Sequence, residues 1–171
     1  MSILYKPSIY AKDIYHINYP LLKKQNIKYL LFDIDNTLAD SKEKYPSKDV
    51  IKLFNKLKKD GFTLILISNS LPHRALKFAR ILYTKTYFLS FKPLSYNYHR
   101  LIKKFKINSQ EIAAIGDQLL TDIKGANKLK IISILIDKKS LNESFITKIN
   151  RYFENRLIKK YQIIKRGEYY E

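Results

Sequence analysis

Two carboxylates one residue apart, Asp33 and Asp35, stand at the end of a short apolar run, Tyr29-Leu30-Leu31-Phe32. Acids are tolerated there only where a buried strand gives out into a cleft and the charge meets a partner. Asn36 and Thr37 follow at once, residue types that turn a chain and offer short polar groups to a ligand. The arrangement recurs downstream. Ser68 and Asn69 follow the apolar run from Phe62 to Ile67, Lys92 follows Tyr87-Phe88-Leu89, and Asp117 follows Ile112 to Ile115, with Asp122 in the next turn. If those runs are parallel strands, all of these side chains come to one sheet edge, the edge at which open α/β sheets bind ligands. Two or three carboxylates, a hydroxyl and an ammonium in one cleft suit phosphoryl transfer over a hard cation. Carboxylates hold Mg²⁺, and lysine and hydroxyl balance the charge of the transferring group.

The intervening segments supply the elements that must position this set. Ser47 can cap a helix running to Asp60, with Val50, Ile51, Phe54 and Leu57 on its inner stripe and Gly61 as its stop. Pro72 opens a second helix, whose inner face carries Ala75, Phe78, Ala79 and Leu82. Tyr98, Leu101, Ile102 and Phe105 mark a third, a fourth spans about Leu119 to Leu129, and a last strand covers Ile131 to Ile136. Strands alternating with helices predict an α/β fold, three-layered and Rossmann-like, with a five-stranded, mostly parallel sheet. Residues 1–26, in which Pro7 and Pro20 break any long helix, carry Tyr5, Ile9, Ile14, Tyr15, Ile17 and Tyr19 and read as a segment packed on the domain. The division expected is one domain over residues 1–143 and a basic amphipathic helix over 144–171.

Composition bounds the function. A chain of 171 residues with 46% apolar content makes one ordinary domain with a real core. The absence of cysteine excludes disulfides, thiolate metal sites and a cysteine nucleophile. No signal peptide or membrane-spanning run is visible, so the expected location is the cytoplasm, or its membrane face. Lys plus Arg is 33 against 15 acids, a net charge of +18. That excess attracts phosphate-rich partners, although a lysine-rich composition spread over many faces explains it equally well.

In this order and at these spacings, DIDNT at 33–37, SNS at 68–70, Lys92-Pro93 and GDQLLTD at 116–122 resemble the four motifs of haloacid dehalogenase-like (HAD) phosphatases. The closer match is the subfamily IIIA, YqeG-type branch, to which phosphatidylglycerophosphate phosphatases are similar. The resemblance runs from about Tyr5 into the C-terminal helix. It implies an Mg²⁺-dependent hydrolase of a phosphate monoester. Asp33 would be the nucleophile that becomes an aspartyl-phosphate, and Asp35 the general acid and base. Ser68, Asn69 and Lys92 would bind the phosphoryl oxygens. Asp33, Asp117 and Asp35 (through its backbone carbonyl) would hold the metal, with Asp122 behind them in a second shell. The gaps between the motifs hold single helices and strands, too short for a folded cap domain, so the cleft is expected to be open.

Substrate and partners are less sharply drawn. Ile149, Phe153, Leu157, Tyr161 and Ile164 recur at helical spacing, surrounded by Lys148, Arg151, Arg156, Lys159, Lys160, Lys165 and Arg166 and by a single acid, Glu154. This helix either lies on an anionic membrane surface or packs on the sheet with its charges in water, the simpler reading. A phospholipid headgroup, phosphatidylglycerophosphate, is the substrate implied by resemblance. The alternatives are a soluble or macromolecular phosphate ester, or a nucleic-acid or ribosome-associated protein that retains the cleft. A phospho-acceptor receiver domain fits poorly, because there the lysine follows the last acid. His16, His73 and His99 have no metal-ligand spacing.

Overall fold

Leu30, Leu31 and Phe32 are all fully buried, as a strand covered on both faces requires. The computed structural model describes residues 2–68, 72–88, 94–139 and 145–171. Its strands are β1 (Ile9–Ala11), β2 (Tyr29–Asp33), β3 (Thr63–Ser68), β4 (Lys85–Phe88), β5 (Ile112–Gly116) and β6 (Ile132–Ile136). They form one sheet in the order β1-β6-β5-β2-β3-β4, and every pairing is parallel. The sheet therefore has six strands where the sequence reading expects five. The extra one, β1, is three residues long and buried throughout. It has neither the length nor the alternation by which a strand is recognised.

Helices cover both faces. Helices α1 (Tyr19–Lys24), α2 (Lys48–Lys59) and α3 (Pro72–Ile81) accompany a cluster that includes Leu30, Phe32, Phe54 and Phe78. Helices α4 (Leu94–Phe105) and α5 (Lys124–Lys128) accompany a second cluster around Leu31, Ile65, Tyr98 and Leu101. The local rules operate as expected at α2. Ser47 accepts the Val50 N–H at 3.3 Å, and Gly61 leaves the helix at φ +92°. Pro20 sits in the first turn of α1, where its missing N–H costs nothing. Between Gln118 and α5 the chain makes a π-helical turn, Leu119–Ile123, where the sequence reading expects one continuous helix. Among the described residues, no further domain is inserted between strands.

The C-terminal helix α6 (Phe145–Tyr161) packs on the strand ends through a stripe different from the one expected. Glu154 is buried and Leu157 and Ile158 are half-buried, whereas Ile149 and Phe153 are 43% and 51% exposed. Beyond α6, Ile163 and Ile164 join Tyr10, Leu119 and Leu135 in a third cluster. The last residues then cover the open edge of β1, with Tyr10 and Tyr170 exchanging backbone hydrogen bonds at 2.8 and 2.9 Å.

Candidate active site

The order of the sheet places its switch point between β2 and β5. From β2 the chain proceeds outward through β3 and β4, then returns to the other side of β2 with β5 and β6. Asp33 ends β2 and Asp117 follows β5, so the crevice that opens at this switch point is flanked by carboxylates from both strands. Asp33, Asp117 and Asp122 each offer an oxygen within 4.8 Å of the others, and all three are buried.

Gly116 makes the third member possible. A Cβ there would fall 2.7 Å from the Asp122 Cβ and collide with the Asp122 carboxylate. The Gln118 N–H donates to Asp122 Oδ2 at 3.1 Å and holds that carboxylate against β5. The sequence reading expects Asp122 behind Asp117 in a second shell; one of its carboxylate oxygens lies within 4.8 Å of those of Asp33 and Asp117.

Three buried like charges disfavour ionisation. Burial pushes Asp33 well above the usual carboxylate range, and the charges of Asp122, Asp117 and Asp35 push it further. Asp122 is raised by burial and by Asp117. Asp117 rises to about 6 through burial, against the pull of Arg151. Its Oδ1 is buried without a hydrogen-bond partner. A set of hard oxygen donors with one orphaned carboxylate oxygen suits a divalent cation.

Asp35 is placed differently from Asp33. Its carboxylate is partly exposed and lies in an ion pair with Arg74 of α3, outside the three-carboxylate group. Arg74 also donates to the backbone carbonyls of Asp40 at 2.7 Å and Glu43 at 2.8 Å, and its guanidinium lies over the Phe78 ring. One side chain thus ties the loop after β2 to α3 and fixes Asp35 at the cleft mouth. The backbone of Ser68 ends β3 beside β2, where Asp33 is in register with Ile67. The Ser68 side chain, Asn69 and Lys92 lie outside the described residues.

Arg151 is the other cation at the site. From α6 it bonds the Asp117 carboxylate, donates to the Asp117 carbonyl at 2.5 Å and meets Glu154 at 2.9 Å. Glu154 in turn accepts the Leu120 N–H at 3.0 Å, satisfying a donor at the start of the π-helical turn. The sequence reading gives Arg74 no role and counts Arg151 only among the surface cations of the C-terminal helix. The one available signal was Glu154, the lone acid of a basic helix, one turn after Arg151.

Comparison with known proteins shows the family. The haloacid dehalogenase-like hydrolase family matches residues 42–130, and the mitochondrial PGP phosphatase family matches residues 2–79. The chain belongs to the haloacid dehalogenase-like hydrolases and is an enzyme of their phosphatase type. It is 30% identical over 152 residues to the "Probable phosphatase YqeG" of Bacillus subtilis (strain 168), covering 89% of this chain and 88% of that protein. In fold it resembles a predicted HAD-like hydrolase from Porphyromonas gingivalis, with a TM-score of 0.55, 14% identity, and 75% of this chain and 98% of that one covered. It also resembles a HAD family enzyme from Bacteroides thetaiotaomicron, solved as its magnesium complex, with a TM-score of 0.53, 14% identity, and 72% and 99% covered.

Proposed function

We propose that this phosphatase hydrolyses a phosphate monoester through a covalent phosphoryl intermediate on Asp33. The observation that carries the reading is the buried group of Asp33, Asp117 and Asp122 at the switch point of the sheet. Mg²⁺ is the cation proposed for these three carboxylates, with the backbone carbonyl of Asp35 as the further ligand expected from the family likeness. When bound, it supplies the positive charge that keeps the carboxylates ionised and offsets the charge of the transferred group.

Asp33 attacks phosphorus, and the bond to the leaving oxygen breaks. Asp35, oriented by Arg74, gives that oxygen its proton and then takes one from the water that cleaves the acyl phosphate. Ser68, Asn69 and Lys92 bind the phosphoryl oxygens, Ser68 from the end of the strand beside Asp33. Arg151 fixes the Asp117 carboxylate by one oxygen and leaves the other without a hydrogen-bond partner.

For the substrate we propose a phospholipid headgroup of the phosphatidylglycerophosphate kind, at a membrane surface. No inserted domain closes the cleft among the described residues. The outer face of α6 carries exposed Ile149, Tyr152 and Phe153 beside Lys148, Arg156 and Lys160, a composition that suits anionic lipid. No helix among the described residues is long and apolar enough to cross a membrane, so contact would be peripheral.

A panel of phosphate esters assayed with and without Mg²⁺ tests the reading. It should hold phosphatidylglycerophosphate in micelles beside soluble sugar phosphates and nucleotides. Mg²⁺-dependent release, strongest on the lipid, is expected. Preference for a small soluble ester removes the lipid, and no release from any ester removes the proposed reaction.

A further inference from the structure

The charge of this chain is unevenly distributed. From Gly61 to Gln110 there is no Asp or Glu, while Lys and Arg together occur nine times. That stretch builds β3, α3, β4 and α4. Among the described residues β4 pairs with β3 alone, so it forms an open edge of the sheet, two strands out from β2. The opposite edge, β1, is covered by Tyr170.

The cations of the β4 edge have no acid to answer them. Lys85 of β4 and Arg100, Lys103 and Lys104 of α4 are exposed, and none forms an ion pair among the described residues. Glu111, the next acid along the chain, is held by Lys28 at 2.5 Å. Helix α5, which packs against α4, adds Lys124 and Lys128 and no acid. Aromatic rings alternate with these charges. The Lys85 ammonium lies 5.2 Å from the centre of the Phe105 ring, that of Lys104 lies 5.5 Å from Tyr87, and the Arg100 guanidinium lies 5.9 Å from Tyr96.

Tyr87 and Phe105 are half-buried against the second core cluster and seat the cations above them, whereas Tyr96 and Tyr83 are 49% and 86% exposed. Cations along an edge neutralise backbone phosphates, and exposed rings between them stack on unpaired bases. A bilayer needs apolar side chains to insert. The outer face of α6 offers Ile149 and Phe153, but no described side chain of β4 or α4 is an exposed aliphatic residue or Phe. The two basic faces of the molecule thus differ in kind.

We propose that the edge formed by β4 and α4 is a binding surface for single-stranded nucleic acid. Lys85, Arg100, Lys103 and Lys104 hold phosphates, and Tyr83 and Tyr96 stack on bases. The surface is separate from the carboxylate group, and the proposal does not depend on the phosphatase reading.

Fluorescence anisotropy of the full chain with a labelled, unstructured RNA of about 20 nucleotides tests it. Near physiological salt the wild type should bind with a Kd of about 1–10 μM, and log Kd should rise with log salt at a slope of about 3, four phosphates at about 0.7 each. Lys85→Ala/Lys104→Ala should weaken binding about tenfold or more and lower the slope by about 1.4. Tyr96→Ala should weaken it about fivefold or more with the slope unchanged. Lys148→Ala/Lys160→Ala removes the same charge from α6 and should leave both quantities as they are. Melting temperatures check that each variant is folded, and Lys85→Gln/Lys104→Gln, which keeps the side-chain stems, replaces the alanine pair if that pair melts lower. Equal losses in the β4–α4 and α6 variants would mean that net charge alone attracts RNA, and overturn the proposal. So would no RNA binding by the wild type at about 100 μM, the weak end of non-specific affinity. Binding to phosphatidylglycerol vesicles that is lost in Lys85→Ala/Lys104→Ala, without RNA binding, would assign the edge to a membrane and overturn it as well.

Discussion

Arg151 binds Asp117 by both its carboxylate and its backbone carbonyl, joining the C-terminal helix to the end of β5. The two side chains are 11% and 0% exposed, so the pair lies in a region of low dielectric, where leaving one member alone is costly. Glu154 shares the same guanidinium at 2.9 Å and is itself buried. Arg151→Met therefore leaves two buried carboxylates without their counter-charge. It is expected to destabilise the fold by about 3 kcal/mol, measured by urea denaturation. Arg151→Lys should recover less than half of this, because one ammonium cannot fork between a carboxylate and a carbonyl.

Gly116→Ala should act on Asp122. The added methyl group overlaps the Asp122 side chain, which must leave the group it forms with Asp33 and Asp117. Overpacking of this kind costs about 1–3 kcal/mol. The sharper readout is the rise in melting temperature on adding Mg²⁺, which the wild type should show and the variant should largely lose.

The stability of the metal-free protein should fall as pH rises through the weakly acidic range. Asp33, Asp117 and Asp122 are all raised by burial, Asp117 to about 6. Between the unfolded carboxylate value of about 4 and these higher folded values, the folded chain binds more protons than the unfolded chain. Stability from these groups is thus full below about pH 4 and lost as pH climbs past their folded values. Denaturation midpoints without metal should show this trend, and Asp122→Asn should flatten it. A cation favours the ionised forms, so Mg²⁺ should stabilise the protein more at alkaline than at acidic pH.

Much of the site is legible in the sequence because parallel strands announce their ends. Tyr29–Phe32 and Ile112–Ile115 are apolar runs too short to be confused with long helices; the first stops at Asp33, and the second is followed by Gly116 and then Asp117. Alternation with helices then brings Asp33 and Asp117 together without any knowledge of side-chain contacts. The strand β1 leaves no such mark, since Ile9, Tyr10 and Ala11 are three buried residues in an aromatic segment. Helix α6 is misleading for a different reason. Ile149 and Phe153 continue the helical period of Leu157, but the polar pair Arg151 and Glu154 decides which face turns inward. Arg74 and Arg151 are two cations among 33, and only contacts across some forty and thirty-four residues of chain distinguish them from surface charges.

Asp33 receives the phosphoryl group in the proposed reaction, and acid-quenched single turnover of a reactive ester with Mg²⁺ reads this directly by mass spectrometry. A phosphoryl group is expected on the peptide containing Asp33, absent in a folded Asp33→Asn variant that also releases no phosphate. Undiminished phosphate release from that variant, or a phosphoryl group trapped at another residue, would contradict the account.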